Sequence, residues 1–179
     1  MKVINFISGP GAGKSVLAAQ TFAQLKIDGW NVEYVPEYAK WQVWTGEYEI
    51  LNNQYHLGLM QFKMINALKD SVDVVVTDGS LVHGLAYNIL NKHNTSDVHK
   101  TKEAILSWLE KHENLFFFIE RSDIPYQEEG RLESFSEALD VDNILKALMH
   151  REEIDYTSLK VQDGFNKLYI DILSKLSPF

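Results

Sequence analysis

Short apolar runs alternate along the chain with longer stretches in which apolar residues recur every three or four positions. Val3-Ile4-Asn5-Phe6-Ile7, Asn31 to Val35, Asp73-Val74-Val75-Val76-Thr77 and Leu115-Phe116-Phe117-Phe118-Ile119 are runs of the first kind, and Tyr156 to Val161 is a weaker fifth. Near-continuous β-branched and aromatic runs of this length suit strands buried on both faces. Between them, Val16, Ala19, Ala23 and Ile27 predict a helix through Asp28, stopped by Gly29. Leu57, Met60, Met64 and Leu68 predict a long helix ending near Lys69, and further helices are expected over Leu81 to Leu90 and from about Ala104 to His112. Ser134 and Glu137 have capping-box spacing ahead of Ala138, Val141, Leu145 and Leu148, and Phe165, Leu168, Ile172 and Leu176 mark a last amphipathic helix. Strands alternating with helices imply a parallel sheet with right-handed crossovers, covered on both faces. The expectation is one three-layer α/β domain over residues 1–179, with no repeat, low-complexity tract or linker.

Composition narrows the classes. A chain of 179 residues that is 45 % hydrophobic suffices for one core and buries roughly 70 % of its unfolded surface. There is no cysteine, which removes disulfides, thiolate metal sites and thiol chemistry. The first residues enter a strand directly, and no run approaches the length of a membrane span, so a soluble, cytoplasmic protein is expected. A formal charge of −8 opposes a broad nucleic-acid footprint.

The candidate chemistry begins where the first strand ends. Ser8-Gly9-Pro10-Gly11-Ala12-Gly13-Lys14-Ser15 reads as a phosphate-binding loop, with Gly9, Gly11 and Gly13 letting backbone amides face phosphates ahead of a helix N-terminus. Gly9, Pro10, Gly11, Ala12, Gly13, Lys14, Ser15 and Val16 are thus the candidate nucleotide contacts. Lys14 is expected on the β- and γ-phosphates of ATP, and Ser15 on Mg²⁺. Ser8 stands where the motif usually has glycine. Asp78 closes a buried strand and is the second candidate Mg²⁺ group, with a helix cap as its ordinary alternative. Glu37 follows a strand at the edge where open parallel sheets bind ligands, and is read as an acceptor contact or as the general base, a role that Asp78 could take instead, or else as a solvated turn residue.

Arg121 and Arg131 bracket a polar, turn-rich stretch read as a mobile flap over about 121–134, with guanidinium groups for developing phosphate charge or for ordinary ion pairs. Tyr38 and Trp41 are candidates to stack an acceptor base, whereas Trp44 is expected to pack beneath a long connection. The six histidines show no metal-ligand spacing and are read as surface or structural residues.

With Val35-Pro36-Glu37-Tyr38-Ala39, Val76-Thr77-Asp78-Gly79-Ser80 and Ile124-Pro125-Tyr126-Gln127-Glu128-Glu129-Gly130-Arg131, the loop gives the chain a resemblance to P-loop kinases. The group is the AAA-type one related to the nicotinamide riboside kinase domain of the NAD-biosynthesis regulator, with many phage-encoded members. The resemblance implies a five-stranded sheet in the order 2-3-1-4-5. It also implies ATP- and Mg²⁺-dependent phosphorylation of a hydroxyl on a nucleoside- or nucleotide-like acceptor, with a hydroxymethylated pyrimidine in phage DNA as the alternative acceptor. A nucleotide-dependent switch or binding module is the non-kinase alternative. The sequence does not specify an oligomeric state.

Overall fold

The computed structural model describes residues 1–121, 126 and 133–176. Five strands, β1 (Lys2–Ile7), β2 (Val32–Val35), β3 (Val74–Thr77), β4 (Glu113–Glu120) and β5 (Thr157–Lys160), pair in parallel in the order β2-β3-β1-β4-β5. The expected order is therefore observed. The helices are α1 (Lys14–Ile27), α2 (Tyr38–Thr45), α3 (Gln54–Asn66), α4 (Leu81–Leu90), α5 (Val98–Leu109), α6 (Phe135–Arg151) and α7 (Phe165–Lys175).

Alternation along the strands divides the core into layers. Ile4, Phe6, Val74, Val76, Phe117 and Ile119 point toward α1 and α7, where they meet Leu17, Leu25, Leu168 and Ile172. On the opposite face, Ile7 and Phe118 meet Leu81, Leu85, Ile105, Leu145 and Met149, while Val3, Val35 and Val75 meet Ile65 of α3. A strand with period-two side chains is buried on both sides only when helices cover both faces.

The register positions the site. Val35 pairs with Thr77, and Asn5 also pairs with Thr77, so β2 and β3 end at one level and β1 runs two residues further, to Ile7. Ser8, Glu37 and Asp78 lie just beyond those ends. Gly79 permits the crowding, since a Cβ there would sit 2.6 Å from the Glu37 Cα and 2.9 Å from the Gln61 side chain. Ser134 and Glu137 form the expected capping box at the start of α6.

Two expectations are corrected. Helix α1 does not bury Val16, Ala19, Ala23 and Ile27; its buried residues are Leu17, Ala18, Thr21 and Leu25. Apolar residues occur on both sides of this helix, so spacing alone does not select the face, and the sheet takes the side that carries the two leucines. Trp44 does not pack beneath a connection but is 65 % exposed on α2, as is Trp41. The buried face of α1 can be tested by truncation. Leu25→Ala should cost about 2–4 kcal/mol in denaturant unfolding, and Ile27→Ala less than about 0.5 kcal/mol.

Candidate functional site

Each part of the loop has a local cause. Gly11 and Gly13 adopt φ of 80° and 97°, the left-handed region where a side chain is strained. Gly13 is the N-cap of α1, which sets Lys14 and Ser15 in its first turn, where the helix dipole favours anions. Gly9 is required for another reason. A Cβ on it would collide with the Ala138 carbonyl oxygen of α6 and lie 2.8 Å from Arg121 Nη2. Its N–H donates to Asp142 Oδ1 at 2.5 Å, so this amide faces α6.

Lys14 Nζ donates to the carbonyls of Ser8 (2.9 Å) and Gly9 (3.0 Å). Burial lowers the Lys14 pKa, opposed by the fields of Glu37, Asp78 and Asp142. Ser8 is fully buried, and its carbonyl is also within 3.1 Å of His83 Nε2 from α4. His83 thus props the loop from below.

Asp78 gathers the strand ends. Its Oδ2 accepts from Ser15 Oγ at 2.5 Å, and its Oδ1 accepts from Tyr34 Oη at 2.9 Å and from the Glu37 N–H at 3.2 Å. The ordinary alternative for Asp78, capping α4, falls to Ser80, whose side chain accepts from the Val82 N–H. Lys40 Nζ donates to Ser15 Oγ at 3.2 Å. Ser15 and Asp78 present the hard oxygen ligands that Mg²⁺ prefers. Among the described residues no three His, Asp or Glu side chains form a metal cluster.

Glu37 is the N-cap residue of α2 and makes no side-chain cap hydrogen bond. Burial raises its carboxyl pKa, with Asp78 and Glu133 adding to the rise and Lys14 and Lys40 opposing it. The next amide, of Tyr38, donates to Gln61 Oε1 at 2.8 Å, and Gln61 Nε2 returns a bond to the Pro36 carbonyl at 3.2 Å. The turn carrying Glu37 is therefore held from α3. Glu133 is fixed nearby, accepting from Tyr87 Oη at 2.8 Å through its side chain and from Tyr126 Oη at 2.7 Å through its carbonyl.

The structure thus gathers Lys14, Ser15, Glu37 and Asp78 at one end of the sheet. Tyr38 lies beside them, with its ring 6.2 Å from that of His56, and Trp41 is exposed one helical turn further along α2. Arg121 is present at the loop's rim but is engaged by α6, through Asp142 and the Ala138 carbonyl. Arg131 and most of the expected flap lie outside the described residues. Sequence reasoning missed Tyr34, Gln61 and Asp142, and took His83 only as one of six surface or structural histidines. A signal existed for Gln61, His83 and Asp142, because each is a polar residue on the apolar side of a helix.

A family model described as AAA domain matches residues 3–166. No curated protein matches the chain. No helix among the described residues is long and apolar enough to cross a membrane.

Burial beneath the loop lowers the His83 pKa to about 3, against about 6.5 when unfolded. Between those values the unfolded chain binds the extra proton, so His83 subtracts stability as pH falls below 6.5. His83→Gln removes this contribution. Denaturant unfolding at pH 7 and pH 5 should show the wild type losing roughly 2 kcal/mol more than the variant; equal losses would contradict a neutral, buried His83.

Proposed function

We propose, for a chain that belongs to the AAA domain family, that it is a phosphotransferase using ATP and Mg²⁺ to phosphorylate a hydroxyl of a nucleoside- or nucleotide-like acceptor. The observation that carries this reading is Glu37. A site that only holds a nucleotide needs the loop, Lys14, Ser15 and Asp78. Here a further carboxylate is fixed beside that set, joined to it through its own N–H, with its side chain outside the hydrogen bonds that organise the loop. In this reading Glu37 is the general base for an incoming alcohol.

Phosphoryl transfer asks for alignment and charge stabilisation more than for covalent participation. In this reading Lys14 and the loop amides other than that of Gly9, which Asp142 holds, bind the triphosphate of ATP. Ser15 and Asp78 would hold Mg²⁺, which supplies charge neutralisation on the phosphate oxygens. Glu37 takes the proton of the acceptor hydroxyl as its oxygen bonds to the γ-phosphorus and the bond to the β,γ-bridging oxygen breaks, releasing ADP. Arg121 brings a guanidinium to the rim where negative charge grows. Tyr38 and the exposed Trp41 follow Glu37 on α2, and in this reading theirs are the rings on which a base-bearing acceptor would stack.

The raised Glu37 pKa sets the pH behaviour. The base works only when ionised, so turnover should fall on acidification at a pH above the ordinary carboxylate range. Glu37→Gln should reduce turnover by about 10²-fold or more, shift ATP affinity far less and abolish that acid limb. Lys14→Ala should abolish transfer. The direct assay is γ-labelled ATP with Mg²⁺ and either a nucleoside and nucleotide panel or DNA containing 5-hydroxymethyluracil. Label on a small acceptor supports the proposal, label on DNA selects the polymeric acceptor, and label on neither favours a nucleotide-dependent switch. A fall in ATP affinity with unchanged turnover of bound ATP in Glu37→Gln would remove the base assignment.

A further inference from the structure

Asp142 stands on the core-facing side of α6, one turn after Ala138 and one before Leu145, and is 8 % exposed. A carboxylate buried there is costly unless its charge and lone pairs are matched. Both of its oxygens are. Oδ1 accepts the Gly9 N–H and Oδ2 accepts from Arg121 Nε. Arg121 Nη2 donates in turn to the Ala138 carbonyl at 3.1 Å, and the guanidinium lies 5.9 Å from the centroid of the Phe135 ring. Among the described residues Nη1 has no hydrogen-bond partner.

A buried pair of this kind contributes little net stability compared with an apolar pair of the same size. Its value lies in fixing where its members stand. One member touches the phosphate loop and the other reaches to within 2.8 Å of where a Gly9 side chain would begin. Both act on the Lys14 ammonium, with opposite signs.

We propose that Asp142 is a positioning residue for the transferred phosphoryl group, holding Arg121 at the mouth of the phosphate loop with Nη1 directed to an outside oxygen, and fixing the loop's first turn through the Gly9 amide. The inference rests on the phosphotransfer reading and deepens it. Asp142 touches neither substrate; it acts through Arg121. An arginine fixed by its Nε, its Nη2 and a ring face loses little freedom on meeting an oxyanion, which is the condition for stabilising charge without reorganisation.

The test compares the affinity of the protein for a fluorescent ADP with Mg²⁺, in the absence and in the presence of aluminium fluoride, which beside ADP imitates the phosphoryl group in transfer. The wild type should gain about tenfold or more from aluminium fluoride. Arg121→Gln and Asp142→Asn should each lose most of that gain, whatever happens to ADP affinity itself, and the double variant should lose no more than Arg121→Gln alone. Asp142→Asn leaves Arg121 buried without its counter-charge, so Asp142→Glu, which keeps the charge and displaces it by one methylene, is measured beside it and should lose most of the gain while remaining folded by circular dichroism. A full gain in either Asp142 variant, additive losses in the double variant, or a full gain in Arg121→Gln overturns the proposal. No gain in a wild type that binds ADP also overturns it. A wild type that does not bind ADP strikes the nucleotide reading itself.

Discussion

The Asp78 carboxylate is the interaction on which the site depends. One oxygen accepts from Ser15 of the phosphate loop, and the other accepts from Tyr34 of β2 and from the backbone of Glu37. Three segments far apart in sequence meet at one negative charge, and the parallel register brings them within reach. Val35 and Asn5 both pair with Thr77, so β2 and β3 end together while β1 continues to Ile7 before it turns into the loop. Hydrogen bonds to a charged acceptor are stronger than neutral ones. The carboxylate therefore orients the hydroxyl at the loop and the amide of the candidate base at once.

Close backbone approach supports that convergence. Gly79 lets the turn after β2 lie against the end of β3, and Gly9 lets α6 press its Ala138 carbonyl against the loop. Neither glycine has positive φ; each is needed because no Cβ fits. Gly11 and Gly13 are different, since their left-handed φ shapes the loop itself. Beneath the loop, His83 and Lys14 share the Ser8 carbonyl as acceptor, so α4 supports the loop from inside the core. On the outer side, α6 holds it through Asp142.

The sheet and the phosphate loop were legible because their signals are local. The valines of β3 and the phenylalanines of β4 suit a two-sided buried strand, and glycine spacing ahead of Lys14-Ser15 marks the loop. The positions of Glu37 and Asp78 were also legible, each just past the end of a strand on one edge of the sheet. The buried face of α1 was not, because Val16 and Ala19 compete with Leu17 and Ala18 at the same spacing. Trp44 was misjudged because an aromatic carries a strong burial prior, and nothing local shows that α2 turns it outward. Asp142 required tertiary knowledge of a different kind. Its partners, Gly9 and Arg121, lie 133 and 21 residues away, and only the packing of α6 over the loop reveals why an acid belongs on that helix's apolar side.

In the proposed function, main-chain amides, Lys14, Ser15 and Asp78 together grip a magnesium-bound triphosphate. Isothermal titration of the purified protein with ATP tests it most directly, run with magnesium and again with a chelator present. One nucleotide per chain is expected, with affinity that depends on magnesium in the wild type and loses that dependence in Asp78→Asn. Absence of binding heat under both conditions, or binding indifferent to magnesium in the wild type, would contradict it.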